Sequence, residues 1–307
     1  MKKVLLFCDP GIDDSLAIMY AMLHPGIELV GIVASYGNVT REEATANAAY
    51  LVQLAGRNDI AIIPGTSKPI KGENIVFYPE IHGKDGIGPI RPPSNFQYHA
   101  SPFDVIRLLI ERYRNELIIV ELGRPTTLAT VFSLFPNHIE LVQSFYMMGG
   151  AFFIPGNATA LAEANFYGDP VAANLVLSTA HNLTLTPLNA TQFAILTQEI
   201  VDAIANNKKN IYSFMVDPIF KYYYAFYKKK MPSIPGAPIH DLFTMMLVNH
   251  PEIADYIKYD VKVIEGTEAE GMSYIDYRPT SKTGKTKVAV NLDYALFIEK
   301  FKYIMLQ

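Results

Sequence analysis

Three carboxylates fall within six positions near the start of the chain, in the run Asp9-Pro10-Gly11-Ile12-Asp13-Asp14. Gathered in one place they repel one another. A hard divalent cation relieves that repulsion, and carboxylate oxygens are the ligands that calcium and magnesium prefer. Pro10 and Gly11 turn the backbone so that the acids can converge. A plainer alternative has Asp13 or Asp14 capping a following helix. That accounts for one or two of the acids, not for all three.

Those acids follow a short apolar run at 4–8, and similar runs recur at 29–34, 60–63, 117–122, 145–148 and 183–186. Between them lie stretches with apolar residues at helical spacing, at 13–23, 41–55, 103–114, 127–135 and 169–178. Strands with continuous apolar character that alternate with helices predict an α/β fold. Its sheet should be open, mainly parallel and Rossmann-like, with helices on both faces. Residues 197–250 read as helical, strands are expected near 259–265 and 287–291, and a last helix starts at Tyr294. The Gly- and Pro-rich piece at 64–102 reads as a long loop, not a boundary, so residues 1–307 are expected to form one domain.

In such a sheet, ligands bind beyond the carboxyl ends of the strands. The polar residues following each run are Asn38 after the second, Leu122-Gly123-Arg124 after the run at 117–122, and Gly149-Gly150 after Met148. Farther on come Asn157, Glu163, Asn165 and the pair His240-Asp241. Singly, each has an ordinary turn or cap reading. Together they put amides, carboxylates and an imidazole on one rim.

Composition narrows the class. Of 307 residues, 50% are hydrophobic and 18% charged, enough to build a large core. The net charge of −4 offers no basic excess for a phosphate backbone, so no nucleic-acid partner is expected. No apolar run is long enough for a transmembrane helix, and the one at 4–8 is too short for a secretory leader. With a single cysteine, Cys8, no internal disulfide can form, and a cytoplasmic protein is expected.

The Asp9–Asp14 run resembles the N-terminal signature of the inosine-uridine nucleoside hydrolases, a family of calcium-dependent N-ribohydrolases. The likeness continues through Tyr36-Gly37-Asn38, 82–88, 122–126, Met148-Gly149-Gly150-Ala151, Gly156-Asn157, Glu163-Ala164-Asn165, Asp169-Pro170 and His240-Asp241, and so covers nearly the whole chain. It implies the nucleoside hydrolase fold and hydrolysis of the N-glycosidic bond of ribonucleosides with a calcium-bound water. Ca2+ would be held by the carboxylates of Asp9, Asp14 and Asp241 and the carbonyl of Leu122. Substrate would be bound by Asp13, Asn38, Met148, Asn157, Glu163, Asn165 and His240. Asp9 would act as general base, and His240 would protonate the departing base. A homodimer or homotetramer is implied as well.

Several positions depart from the family pattern. Phe7 stands where the family usually has an acid, Thr127 where Asn is common, Asn189 where Asp is frequent and Leu242 where Pro is frequent. Base specificity is less legible. Tyr223 and Tyr227 share a helix face, and either stack on a base or pack on the sheet. His82 is either a lid residue beside the base pocket or a turn histidine. The stretch at 279–286 nearly spells a phosphate-binding loop, but it leads into a strand instead of a helix, so ATP binding is rejected. Two rival readings remain: a metal-dependent phosphohydrolase, which strand-end acids also suit and for which Arg124 is the candidate to meet a phosphate, and a catalytically silent nucleoside- or ribose-binding homologue.

Overall fold

The apolar runs form the middle of the sheet. In a computed structural model, which describes residues 1–72, 75–266, 268–278 and 284–307, twelve strands are found. They are β1 (Lys2–Cys8), β2 (Ile27–Ala34), β3 (Ala61–Pro64), β4 (Leu117–Glu121), β5 (Ser144–Met148), β6 (Leu183–Thr186), β7 (Ile195–Thr197), β8 (Gly236–Pro238), β9 (Ala254–Tyr259), β10 (Val261–Val263), β11 (Ser273–Ile275) and β12 (Thr286–Leu292). Eight make the main sheet, in the order β3-β2-β1-β4-β5-β6-β12-β9. All its pairings are parallel except that of β9, which runs antiparallel to β12 at the edge.

Alternate side chains of β1 feed two separate cores. Val4, Leu6 and Cys8 pack with the helices Ile12–Leu23 and His240–Leu247, whereas Leu5 and Phe7 pack with the helices Val105–Tyr113 and Thr126–Leu134. Burial on both faces is why the central runs read as continuously apolar. From β1 the chain builds outward to β3 on one side, then returns to build β4, β5 and β6 on the other. The switch point therefore lies between β1 and β4, and the carboxyl ends of these strands deliver Asp9 and Leu122.

Some expectations need adjustment. The strand expected at 259–265 is two pieces, because the chain leaves the main sheet after Tyr259 and pairs Val261–Val263 with β11 in a separate ribbon. The helical reading of 197–250 holds for Gln198–Ala205, Ser213–Lys230 and His240–Leu247. It misses the ribbon of β7 with β8, whose Gly-Ala-Pro strand has no alternation to betray it. The long piece at 64–102 contains a short helix, Pro79–His82. Of the near-phosphate loop, residues 279–283 lie outside the described residues, and Thr286 begins β12. Among the described residues no helix is long and apolar enough to cross a membrane.

Candidate active site

A cavity of about 280 Å³ opens at the carboxyl ends of β1 and β4. Its polar lining includes Asp13, Asn38, Asn157, Glu163, Asn165 and Asp241, and its apolar and aromatic lining includes Ile81, Tyr223, Phe226, Tyr227 and Met231. His82, His240 and Lys230 line it as well.

The acids come together because the helix Ile12–Leu23 starts directly after the Pro10-Gly11 turn. Asp14 is its third residue and reaches back to accept the Gly11 N–H at 3.0 Å, so the capping alternative holds for this acid. Its other oxygen accepts the Asp9 N–H at 3.2 Å. Asp13, Asp14 and Asp241 each offer a carboxylate oxygen, and these atoms all lie within 4.8 Å of one another. Asp9 stands outside that grouping. Its Oδ2 accepts the Asn38 N–H at 2.6 Å, and Gly37 and Gly123 press against its carboxylate so closely that a Cβ at either would collide with it.

Burial is the main force on all four carboxyls. It raises Asp9, Asp14 and Asp241 above the ordinary carboxylate range, with repulsion from neighbouring acids adding to Asp9 and Asp241. Asp13 is pushed up to about 7 by burial and by Asp14. Its Oδ1 has no hydrogen-bond partner, although it is buried. An orphaned carboxylate oxygen among converging acids is the donor set of a hard divalent cation, so the residues present fit such an ion.

The remaining expected residues are placed as follows. Asn38 donates through Nδ2 to Asp14 at 3.1 Å. Asn165 donates through Nδ2 to the Leu122 carbonyl at 2.7 Å and to the Met148 carbonyl at 3.3 Å. Glu163 lines the cavity, but its oxygens accept three backbone N–H groups, from Gly150, Asn165 and Phe166, which makes it the clamp of the loop as well. Asn157 accepts the Ala164 N–H at 2.9 Å.

From Asp13 to His240 the hydrogen bonds form a chain. Tyr223 donates to Asp13 Oδ2 at 3.3 Å, its hydroxyl lies 3.3 Å from that of Tyr227, and Tyr227 lies 3.4 Å from His240 Nε2. His240 Nδ1 meets the Thr191 hydroxyl at 2.8 Å. Burial lowers His240 to about 4. His82 is buried, and its Nδ1 accepts the Ile12 N–H at 3.0 Å, capping the helix start. That leaves Nε2 as the nitrogen bearing hydrogen, and burial depresses the ring to about 3. Tyr78, Ile81 and Met231 carry no signal in the sequence, because a lining residue from a loop or helix end has no spacing signature. Thr191 had no sequence signal either.

The departures from the family pattern have local roles. Phe7 is a core residue beneath the site. The Thr127 hydroxyl holds the Thr66 N–H at 3.0 Å, and Asn189 pairs with both backbone groups of Phe152. Leu242 is buried in its helix. Arg124 does not line this cavity; it donates to the carbonyls of Gly37 and Val76 and covers the Tyr36 ring.

An open parallel sheet with a buried acid cluster at its switch point, beside a pocket lined in part by aromatic rings, fits an enzyme that acts on a small molecule, and the cluster could hold a metal ion. The model of the inosine-uridine preferring nucleoside hydrolase family matches residues 4–299, and the chain belongs to that family. It is 31% identical to the inosine-uridine preferring nucleoside hydrolase of Crithidia fasciculata over 96% of this chain and 95% of that protein. It is 32% identical to uridine nucleosidase 1 of Arabidopsis thaliana over 85% and 78%. A purine-preferring ribonucleoside hydrolase from Gardnerella vaginalis superposes with a TM-score of 0.91 at 27% identity, covering 99% and 98% of the two chains. Ribonucleoside hydrolysis is the activity of this family, and the fold is the one expected from the strand-helix alternation.

Proposed function

We propose that the chain works as one domain that hydrolyses the N-glycosidic bond of ribonucleosides, with ribose against the acids and amides of the cavity and the base against its aromatic rings. The observation that carries this reading is one cavity lined both by acids and amides and by aromatic rings, with His240 tied through Tyr227 and Tyr223 to Asp13. Calcium is the proposed cation, held by Asp9, Asp14, Asp241 and the Leu122 carbonyl. The grouping of Asp13 with Asp14 and Asp241 makes Asp13 a further candidate ligand besides a contact of the sugar. When bound, such an ion gathers the sugar hydroxyls and makes a neighbouring water easier to deprotonate.

The chain's own residues then do the following. Asp9, held by the Asn38 N–H, takes a proton from the attacking water as general base. Asn38, Asn157, Glu163 and Asn165, with Met148 packed beside them, fix the ribose. The carboxylates favour the positive charge that develops on the ring as the bond to the base breaks. Negative charge grows on the departing base beside His240, which favours the protonated imidazole. His240 hands its proton to the base, and the Tyr223 and Tyr227 rings flank the leaving group.

Arg124, the candidate for meeting a phosphate in the phosphohydrolase alternative, donates to the Gly37 and Val76 carbonyls and does not line the cavity. The lone buried Cys8 is compatible with the proposed cytoplasmic location. A homodimer or homotetramer is proposed by analogy with the family. The test is release of free base from a panel of purine and pyrimidine ribonucleosides, with calcium and with chelator. Chelator-sensitive release is expected; calcium-dependent binding of ribosides without release would instead establish a silent homologue.

A further inference from the structure

Glu121 ends β4 as a carboxyl inside the sheet, about 1% exposed. Its register partners on the two neighbouring strands are Phe7 and Met147, both buried and apolar. Its Oε2 has no hydrogen-bond partner, while Oε1 accepts the Gly123 N–H at 3.1 Å. An acid in such surroundings is a poor element of the sheet, since burying a polar group without full pairing is unfavourable. Its single bond nevertheless acts on the site. The Leu122–Gly123 peptide is trans, so its N–H and C=O point in opposite directions from one rigid plane. By drawing the N–H to its own side, Glu121 turns the Leu122 carbonyl the other way, where Leu122 lines the cavity and its oxygen accepts the Asn165 side-chain amide. The same turn seats Gly123 against the Asp9 carboxylate, where only a residue without Cβ fits.

We propose that Glu121 is a positioning residue that aims the Leu122 carbonyl at the cation site and holds Gly123 against Asp9. The inference rests on the reading of Leu122 and Asp9 as cation ligands. It concerns orientation of the peptide plane, so an amide at this position should serve nearly as well as the acid, and an apolar side chain should not. Groups that orient metal ligands typically change affinity by about 10–100-fold.

The test is calorimetric titration with calcium alone, on the full chain and on Glu121→Gln, Glu121→Met and Glu121→Ala, with melting in chelator as the control for folding. Glu121→Gln should bind calcium within about threefold of the parent. Glu121→Met should lose about tenfold or more while melting in chelator at least as high, because a buried unpaired oxygen has been removed. Glu121→Ala removes the acceptor with less bulk and answers the same question should the methionine variant fold poorly. Undiminished affinity in the folded Met and Ala variants would overturn the proposal. So would an equal loss in Glu121→Gln, which would mean that charge and not orientation is what matters. Absence of calcium binding in the parent itself would instead sink the cation reading, and this inference with it.

Discussion

Replacing Asp13 by Asn should stabilise the cation-free protein at neutral pH while disabling it. The Asp13 carboxyl is held at about 7 in the folded chain, against an ordinary value near 4. A group whose folded pKa lies above its unfolded one favours the folded state most at low pH. That contribution is fully present below about pH 4 and is lost as pH rises through about 7. A rise of this size corresponds to about 4 kcal/mol at neutral pH. For a chain of this size, about 1 kcal/mol moves the melting midpoint by roughly 2 °C. In chelator at pH 8, Asp13→Asn should therefore melt up to roughly 8 °C above the parent. At pH 4 the two should melt together. Calcium should raise the parent at pH 8 and narrow the gap, because the ion favours the ionised acids. Scanning calorimetry at both pH values, with and without calcium, gives the four numbers needed. A parent more stable than Asp13→Asn in chelator at pH 8, or a gap independent of pH, would refute the argument that burial, with Asp14 beside it, disfavours the ionised Asp13 carboxyl.

Three further outcomes follow from the same geometry. Asp9→Ala should abolish nucleoside hydrolysis with folding intact by circular dichroism; near-full activity would remove Asp9 from the reaction. His240→Ala should slow release of natural bases by about 10²–10⁴ yet largely spare 4-nitrophenyl riboside, whose leaving group needs no proton, and an equal loss on both would deny His240 its role as acid. Gly37→Ala should cut activity severely, because its Cβ would overlap the Asp9 carboxylate; steady-state kinetics on the purified variant that match the parent would show that the Asp9 environment is more yielding than the packing implies.

Much of this protein is legible in one dimension. Strand β1 and its acids could be read because a strand buried on both faces is continuously apolar and then breaks sharply at Asp9. The order of motifs carried the family, and the alternation of runs and helices carried the parallel sheet. Glu121 lies within the run read at 117–122 and carries no signal there, because nothing in its spacing tells what it holds.

What folding alone decided is which groups meet. Asp9 and Asp14 are five residues apart, yet it is Asp241, more than two hundred residues away, that closes the cluster with Asp13 and Asp14. His82 arrives from the long loop to cap the helix start at Ile12, seventy positions earlier, and this fixes which of its nitrogens bears hydrogen. The chain from Asp13 through Tyr223 and Tyr227 to His240 joins three separate segments. Sequence determines local period, turns and the chemical types on offer, because those depend on neighbours along the backbone. Distances of about 3 Å between side chains from distant segments depend on how the helices pack on the twisted sheet, and that only the tertiary structure decides.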